Sequence, residues 1–339
     1  MNQKINRKKM AVLGAGAFGS AFAKLLSVNY DISLWARDLE LVQAINLAHQ
    51  HPKRLAGVFF PKNVTATANM EEALADSILV ISALPLVSLR SVWTQATQFL
   101  PPDAYILSLT KGIEQETLEL PAGILQQILP SSACARLTFL SGPTFAQELA
   151  AFMPAAATLA AIELQTALDV QKMISLETFR TYVSTDVAGV ELGGALKNVI
   201  AIAAGIGHGL NLGQNAQAAL ITRGIAEVAR LAVAMGAQPL TLAGLSGLGD
   251  LVLTCSSTMS RNFRLGSNLS LGMNLEAALL DIGQTVEGVN TAKSARQLSQ
   301  KFSIEMPISE SVYSVLFEGV PSRQAAYDLM TRKLTHEHK

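Results

Sequence analysis

Residues 10–19 of this 339-residue chain read MAVLGAGAFG, and two very different structures compete for them. One is an export signal. Lys4, Arg7, Lys8 and Lys9 precede the apolar run, and Ala21-Phe22-Ala23 supplies a small-x-small pattern after it. These are the three parts of a signal peptide. The other is the first strand and phosphate turn of a dinucleotide-binding domain. Gly14, Gly16 and Gly19 stand in G-x-G-x-x-G register directly after Met10-Ala-Val-Leu13. In that register the glycines serve a tight turn, close approach of backbone to a pyrophosphate, and close packing of helix on strand. Helix N–H groups then face the phosphates. Three helix-weakening glycines are out of place in the apolar segment of a signal peptide. A helix-like segment at 18–28 and a second strand at 31–35 follow at the spacing of a βαβ unit. The second reading is the better one.

Composition agrees with it. Half of the residues are hydrophobic, and 26 Lys and Arg balance 26 Asp and Glu to a formal net charge of zero. That suits a globular α/β protein of one or two domains. No basic stripe runs along any segment, so no nucleic-acid partner is expected. Cys134 and Cys255 form neither a metal spacing nor a disulfide framework and read as small buried apolar residues, in keeping with a reducing cytoplasm. No apolar run is taken to reach the ~18 residues of a membrane span, the longest being broken by Pro154, Lys197 and His208. The tail His336-Glu337-His338-Lys339 reads as a solvated terminus in preference to a metal site.

Strand-like runs recur at 77–83 (SILVISA), 104–109 (AYILSL), 136–140 (RLTFL), 155–161 and 178–183, with helical stretches between them. Continuous apolar strands alternating with helices predict a parallel sheet covered on both faces. The pattern changes near Asp186. Residues 187–205, 216–235, 275–282, 291–302, 307–317 and 323–334 all read as helix. Gly236, Gly283 and Gly319 mark helix ends, and Pro307 a first turn. The expected fold is α/β: an N-terminal Rossmann-type doubly wound sheet over 1–187, then an all-helical domain over 188–339.

Ligands of open α/β sheets bind at the carboxyl ends of strands. Here those ends carry Ala83-Leu84-Pro85, Thr110-Lys111-Gly112 and Ser141-Gly142-Pro143-Thr144-Phe145-Ala146. Thr144 and Gln147 match a capping box. Lys111 has the alternative of an ordinary solvated loop lysine. In ELGGALKNVIA (191–201), Lys197 lies within a nearly apolar helix, with Gly189 and Gly193 at i−8 and i−4 leaving one face bare. Such glycines cost up to ~1 kcal/mol each relative to alanine. Helix packing and a flat ligand are the two candidate reasons, and a lysine snorkelling to water is the ordinary alternative for Lys197. GLSGLGDLVLTC (244–255) has the wrong register for a second dinucleotide loop and reads as a tight turn presenting Asp250. Ser260 as an N-cap would place Arg261 and Asn262 in a helix first turn, a phosphate site if it is not merely a surface arginine.

Together GAGAFG, SLTKGIE, SGPTFAQE, ELGGALKNVIAIAAG, GLGDLVLTC, SRNFRLG and GQTVEG, in this order from about Met10 to Leu334, resemble bacterial NAD(P)-dependent glycerol-3-phosphate dehydrogenase. The resemblance implies a helical second domain like that of 6-phosphogluconate dehydrogenase. It implies reversible reduction of dihydroxyacetone phosphate to sn-glycerol 3-phosphate, supply of the phospholipid backbone, a cytoplasmic location and a homodimer. By the same resemblance Lys197 is the proton donor and acceptor. Lys111 is a second active-site lysine near substrate and nicotinamide, and Asp250 arranges the lysine and substrate. Asn198, Ser260, Arg261 and Asn262 bind substrate, the last two at its phosphate. Gly142, Thr144 and Ala146 line the cleft. Gly14, Gly16, Ala17, Phe18, Gly19, Arg261, Val286 and Glu287 reach the cofactor. Ala17 stands where many relatives carry serine or threonine, so a hydroxyl contact is lost there.

NAD-specific folds commonly place an acid at the end of the second strand. Here that strand ends Trp35-Ala36-Arg37-Asp38, and Asp38 reads as the cap of a helix starting at Leu39. Arg37 suits a 2′-phosphate. NADP(H) is therefore expected to be preferred, with NAD(H) accepted; the alternative is a surface Arg37–Asp38 pair. Two rival functions remain at this level. One is a related two-domain β-hydroxyacid or ketopantoate-type dehydrogenase, and the other is a non-catalytic NAD(P)-binding protein.

Overall fold

Lys9–Leu13 forms β1, buried from Met10 onward. It pairs in parallel with β2 (Asp31–Trp35) on one side and β4 (Ser77–Ser82) on the other. Met10 and Val12 enter one hydrophobic core, Ala11 and Leu13 another. A strand buried on both faces is what a helix-covered parallel sheet requires, and residues 10–19 are thus strand and turn. The structure, a computed structural model, describes residues 7–334, 336 and 337; Lys4, His338 and Lys339 lie outside them. The chain divides into two compact units, Met1–Lys111 with Glu119–Glu191, and Gly112–Leu118 with Leu192–Lys339.

The first unit holds an eight-stranded sheet in the order β3-β2-β1-β4-β5-β6-β7-β8. The remaining strands are β3 (Val64–Thr67), β5 (Tyr105–Ser108), β6 (Leu137–Ser141), β7 (Ala155–Ala160) and β8 (Phe179–Ser184). The first six follow Rossmann order, reversing between β1 and β4. The sheet is not wholly parallel, contrary to expectation: β6 and β7 run antiparallel. A parallel return needs a crossover of about a dozen residues, usually a helix. The β6–β7 connection has that length, but its helix, Ala146–Ala150, has five residues and spans only about 7.5 Å, too little to carry the chain back along the sheet, so the chain turns back instead. β3 has no apolar run to announce it. Its sequence is VTAT, it pairs only with β2, and Thr65 is exposed.

The second unit is helical. Its core joins Val199, Ile202 and Ile206, spaced along one face of the Val187–Gly209 helix, to Leu265, Ile282, Val312 and Leu316 from later helices. Contrary to expectation, that long helix has 23 residues and a mean hydropathy of 1.5, enough by length and composition to cross a membrane. Yet 89% of its apolar window is buried, as in the core helix of a globular fold. Gly112–Leu118 joins this unit through distant contacts. Ser294 Oγ donates to the Ile113 carbonyl at 3.0 Å, and Gln115 Nε2 donates to Asn290 Oδ1 at 2.9 Å.

Candidate active site

In the first unit, the sheet reverses where the glycine turn lies. Gly14 has φ +110°, and a Cβ there would sit 2.7 Å from the Ala83 carbonyl oxygen at the end of β4. Only glycine tolerates both. At Gly19 a Cβ would fall 2.0 Å from the Gly14 oxygen. Gly16 is the N-cap of the Ala17–Leu26 helix. No side chain caps this helix, its first turn holds no acid, and a Cβ on Gly16 would meet nothing within 4 Å. An open helix N-terminus without nearby negative charge fits a pyrophosphate. Ala17 and Phe18 are half-buried, and Phe18 packs on Phe22 with ring centroids 5.3 Å apart.

β1, β4, β5 and β6 are mutually parallel, so Gly14, Ala83, Lys111 and Gly142 follow strand ends along one edge of the sheet. Ahead of Lys111, Thr110 Oγ1 donates to the Leu84 carbonyl at 2.9 Å. At Gly142 a Cβ would lie 2.7 Å from Ala157 Cα, so this glycine lets β7 pass close by. The capping box does not form. Phe145 is the N-cap of the Ala146–Ala150 helix without a side-chain bond. Thr144 instead donates to the Gly142 carbonyl at 3.1 Å, and Gln147 to the Ala56 carbonyl at 3.2 Å. Both side chains are drawn to carbonyls off the helix end. Arg37 is exposed just past β2, and Asp38 caps the Leu39–Ala48 helix, accepting from Glu40 and Leu41 N–H at 3.0 and 3.2 Å.

In the second unit, Gly193 is bare for packing. A Cβ there would lie 2.6 Å from the Ser246 carbonyl oxygen and 3.2 Å from Gly247 Cα. What covers it is Leu245–Gly249, not the tight turn expected but one wide π-type turn, with Gly249 N–H donating to the Gly244 carbonyl at 3.0 Å. Asp250 then opens the Asp250–Cys255 helix and is 1% exposed, turned inward toward the lysine helix. Lys197 lies one helical turn beyond Gly193, on the same face. Its Nζ donates to Asp250 Oδ1 and, at 2.7 Å, to Thr254 Oγ1. Thr254 in turn donates to the Asp250 carbonyl at 2.6 Å. Lys197 is 8% exposed and does not snorkel. Thr254 was not singled out in the sequence. The signal was its i+4 spacing from Asp250 on one helix face. Cys255 is beside this pair, and burial pushes its thiol up to about 12, so it is an inert apolar filler.

Asn198 joins a second chain of contacts. Asn262 Nδ2 donates to Asn198 Oδ1 at 2.9 Å, and Gly288 N–H donates to Asn262 Oδ1 at 2.9 Å. Ser260 caps the Arg261–Ser270 helix as expected, accepting from Phe263 N–H at 3.2 Å. Arg261 Nη1 donates to the Thr285 carbonyl at 2.7 Å. Val286 is buried as the N-cap of the Glu287–Phe302 helix. Burial raises the Glu287 carboxyl above its ordinary value, with Arg261 pulling it the other way. The second unit thus brings together Lys197, Asp250 and Thr254, then Asn198 and Asn262, then Arg261 and the 285–288 turn.

A Rossmann sheet with an open glycine turn, and a helical unit whose buried lysine is held by carboxylate and hydroxyl, define an oxidoreductase of the nicotinamide-dinucleotide class. Comparison with known proteins narrows this. Residues 9–167 match the family model for the N-terminus of NAD-dependent glycerol-3-phosphate dehydrogenase, and residues 186–327 that for its C-terminus. A glycerol-3-phosphate dehydrogenase [NAD(P)+] of Myxococcus xanthus is 48% identical over 324 residues, 95% of this chain and 97% of that one. A protein of the same name from Bacillus subtilis is 42% identical over 331 residues, 97% of this chain and 96% of that one. The crystal structure of glycerol-3-phosphate dehydrogenase from Coxiella burnetii superposes with a TM-score of 0.90 at 34% identity, covering 96% of this chain and 99% of that one. The chain belongs to the NAD-dependent glycerol-3-phosphate dehydrogenase family. This favours that activity over the β-hydroxyacid, ketopantoate and non-catalytic readings.

Proposed function

We propose that the chain reduces dihydroxyacetone phosphate to sn-glycerol 3-phosphate, reversibly, and so supplies the backbone for phospholipid synthesis in the cytoplasm. The observation that carries the reading is Lys197, a buried ammonium oriented by Asp250 and Thr254. When bound, NAD(P)H supplies the hydride. As hydride adds to the ketone carbon, negative charge grows on the carbonyl oxygen. Lys197 stabilises that charge and donates its proton. Asp250 and Thr254 fix the direction of its N–H bonds, and Lys111 would serve as a second active-site lysine.

Residues 1–187 would supply most of the cofactor site and 188–339 most of the substrate site. Gly14, Gly16, Ala17, Phe18 and Gly19 would offer backbone to the pyrophosphate, while Ala146, Val286 and Glu287 make further cofactor contacts. Gly142, Thr144, Asn198, Ser260 and Asn262 would position substrate, and Arg261 would hold its phosphate, a charge-assisted bidentate pair. Remote binding energy of this kind is used to orient the reacting carbonyl. Exposed Arg37, with Asp38 engaged in capping, supports NADPH as the preferred cofactor and NADH as an accepted one. The active form is proposed to be a homodimer, which light scattering on the purified protein checks. The deciding experiment is NADPH oxidation with dihydroxyacetone phosphate, run beside ketopantoate and a β-keto acid. Faster turnover of either acid overturns the reading.

A further inference from the structure

His51 is 7% exposed, although it lies in a connecting segment between the Leu39–Ala48 helix and β3. Two backbone N–H groups, those of Lys53 and Arg54, approach its Nδ1 at 3.1 Å each. A nitrogen that faces two donors must offer its lone pair, so the ring proton is on Nε2. Nε2 is 3.0 Å from the carbonyl oxygen of Ala15 and donates to it. Burial holds the imidazole below its ordinary pKa, outweighing the bond to the Ala15 carbonyl, which favours the charged ring, and the charges of Arg54 and Lys53 add to the lowering.

Ala15 lies inside the glycine turn, between Gly14 and Gly16. The carbonyl of Ala15 and the N–H of Gly16 belong to one planar trans peptide, and point in opposite directions. A carbonyl turned toward His51 therefore turns the Gly16 N–H away from it. Space is open at Gly16, where an added Cβ would meet nothing within 4 Å. The loop that carries His51 is itself anchored. A bridge joins Gln50 to Phe59, Phe60 N–H donates to the His49 carbonyl at 2.6 Å, and Leu55, Val58 and Phe60 are buried in the core that also holds Ala15. Gln147 donates to the Ala56 carbonyl at 3.2 Å. Closed, self-packed loops of this kind are often functional.

We propose that His51 is a positioning residue for the cofactor: by holding the Ala15 carbonyl it sets the peptide plane that presents the Gly16 N–H to the pyrophosphate. The proposal rests on the reading that NAD(P)H binds at this glycine turn. His51 touches neither cofactor nor substrate and acts through the backbone of the turn.

Two near-isosteres separate its two bonds. In His51→Asn the amide oxygen takes the place of Nδ1 and still accepts from Lys53 and Arg54, but nothing reaches Ala15. In His51→Gln the amide nitrogen takes the place of Nε2 and can donate to Ala15. Binding of NADPH is followed by its fluorescence, turnover by initial rates with dihydroxyacetone phosphate, and folding by thermal unfolding. The expected result for His51→Asn is a Kd for NADPH raised about tenfold or more, with kcat at saturating cofactor close to wild type; the Ala15 carbonyl losing its donor also lowers Tm by a few degrees, and His51→Gln, which keeps a donor there, separates this from the loss of affinity. His51→Gln should recover part of the affinity. Unchanged NADPH affinity in His51→Asn overturns the proposal. So does a parallel loss of NADPH affinity, kcat and Tm in both variants, which would make His51 purely structural. If the wild type bound neither NADPH nor NADH, the cofactor reading itself would fail. Wild-type binding with an undiminished His51→Asn would remove only the role given to His51.

Discussion

Replacing Lys197 with methionine removes one charge from a pair in which Asp250 is only 1% exposed. Two effects follow, and they must be separated. The first is on stability. Taking the ammonium from beside a buried carboxylate costs about 3–5 kcal/mol, a large part of the ~5–15 kcal/mol that keeps a protein folded. The second is on chemistry. Loss of a general acid lowers kcat by at least ~10²-fold. A drop in activity alone would therefore prove little. The double variant Lys197→Met/Asp250→Asn resolves this. With both charges gone, no uncompensated carboxylate stays buried, and most of the lost stability should return. Catalysis should not return with it. Urea unfolding reads the first effect; initial rates with saturating NADPH and dihydroxyacetone phosphate read the second, with NADPH binding as a control that should barely move. Near-normal turnover in the single variant, or recovery of turnover together with stability in the double variant, would show that Lys197 holds helices together and does no chemistry.

Three other perturbations bear on separate parts of the structure. Arg261→Ala and Arg261→Lys should both lower kcat/KM for dihydroxyacetone phosphate, the former by about 2–4 kcal/mol in transition-state binding, because lysine lacks the planar fork. On dihydroxyacetone, which has no phosphate, Arg261→Ala should lose little further activity, and an equal loss on both substrates would move the phosphate site elsewhere. Arg37→Ala should shift the ratio of kcat/KM for NADPH over NADH toward NADH; an unchanged ratio, or a wild-type preference for NADH, would refute the 2′-phosphate role. Glu191 accepts from the Ala122 N–H at 3.0 Å, and burial raises its carboxyl well above 4.5. The folded state therefore binds this proton more tightly than the unfolded one. The stability it contributes is fully present below about pH 4.5 and is lost as the pH rises through the folded-state value. Glu191→Gln should flatten the fall of Tm on the alkaline side of pH 4.5, and an unaltered pH profile would count against it.

What the sequence revealed, and what it hid, follows from the range of the interactions involved. β1, β2 and β4 could be read because continuous burial writes itself as a local apolar run, and the Ser260 and Asp38 caps because a cap is settled within three residues. β3 could not, since VTAT is an edge strand whose pairing with β2 is non-local. The β6–β7 reversal was hidden for a related reason: strand direction depends on the connection, and the short Ala146–Ala150 helix was not recognised as too short to cross the sheet. The site divides in the same way. Lys197 was conspicuous as a charge in an apolar helix, and Asp250 was visible within GLGD, but their meeting depends on a third element. Gly193 lacks a Cβ, so the Leu245–Gly249 turn can lie against its helix, and that contact sets the Asp250–Cys255 helix where Asp250 and Thr254 both reach Lys197. Periodicity shows that Gly193 and Lys197 share a face; it does not show what lies on that face. Alanine at 193 would test the connection. Its methyl would have to move the Ser246 carbonyl, and the carboxylate that orients Lys197 would shift with it, so kcat should fall although neither charged group has been changed.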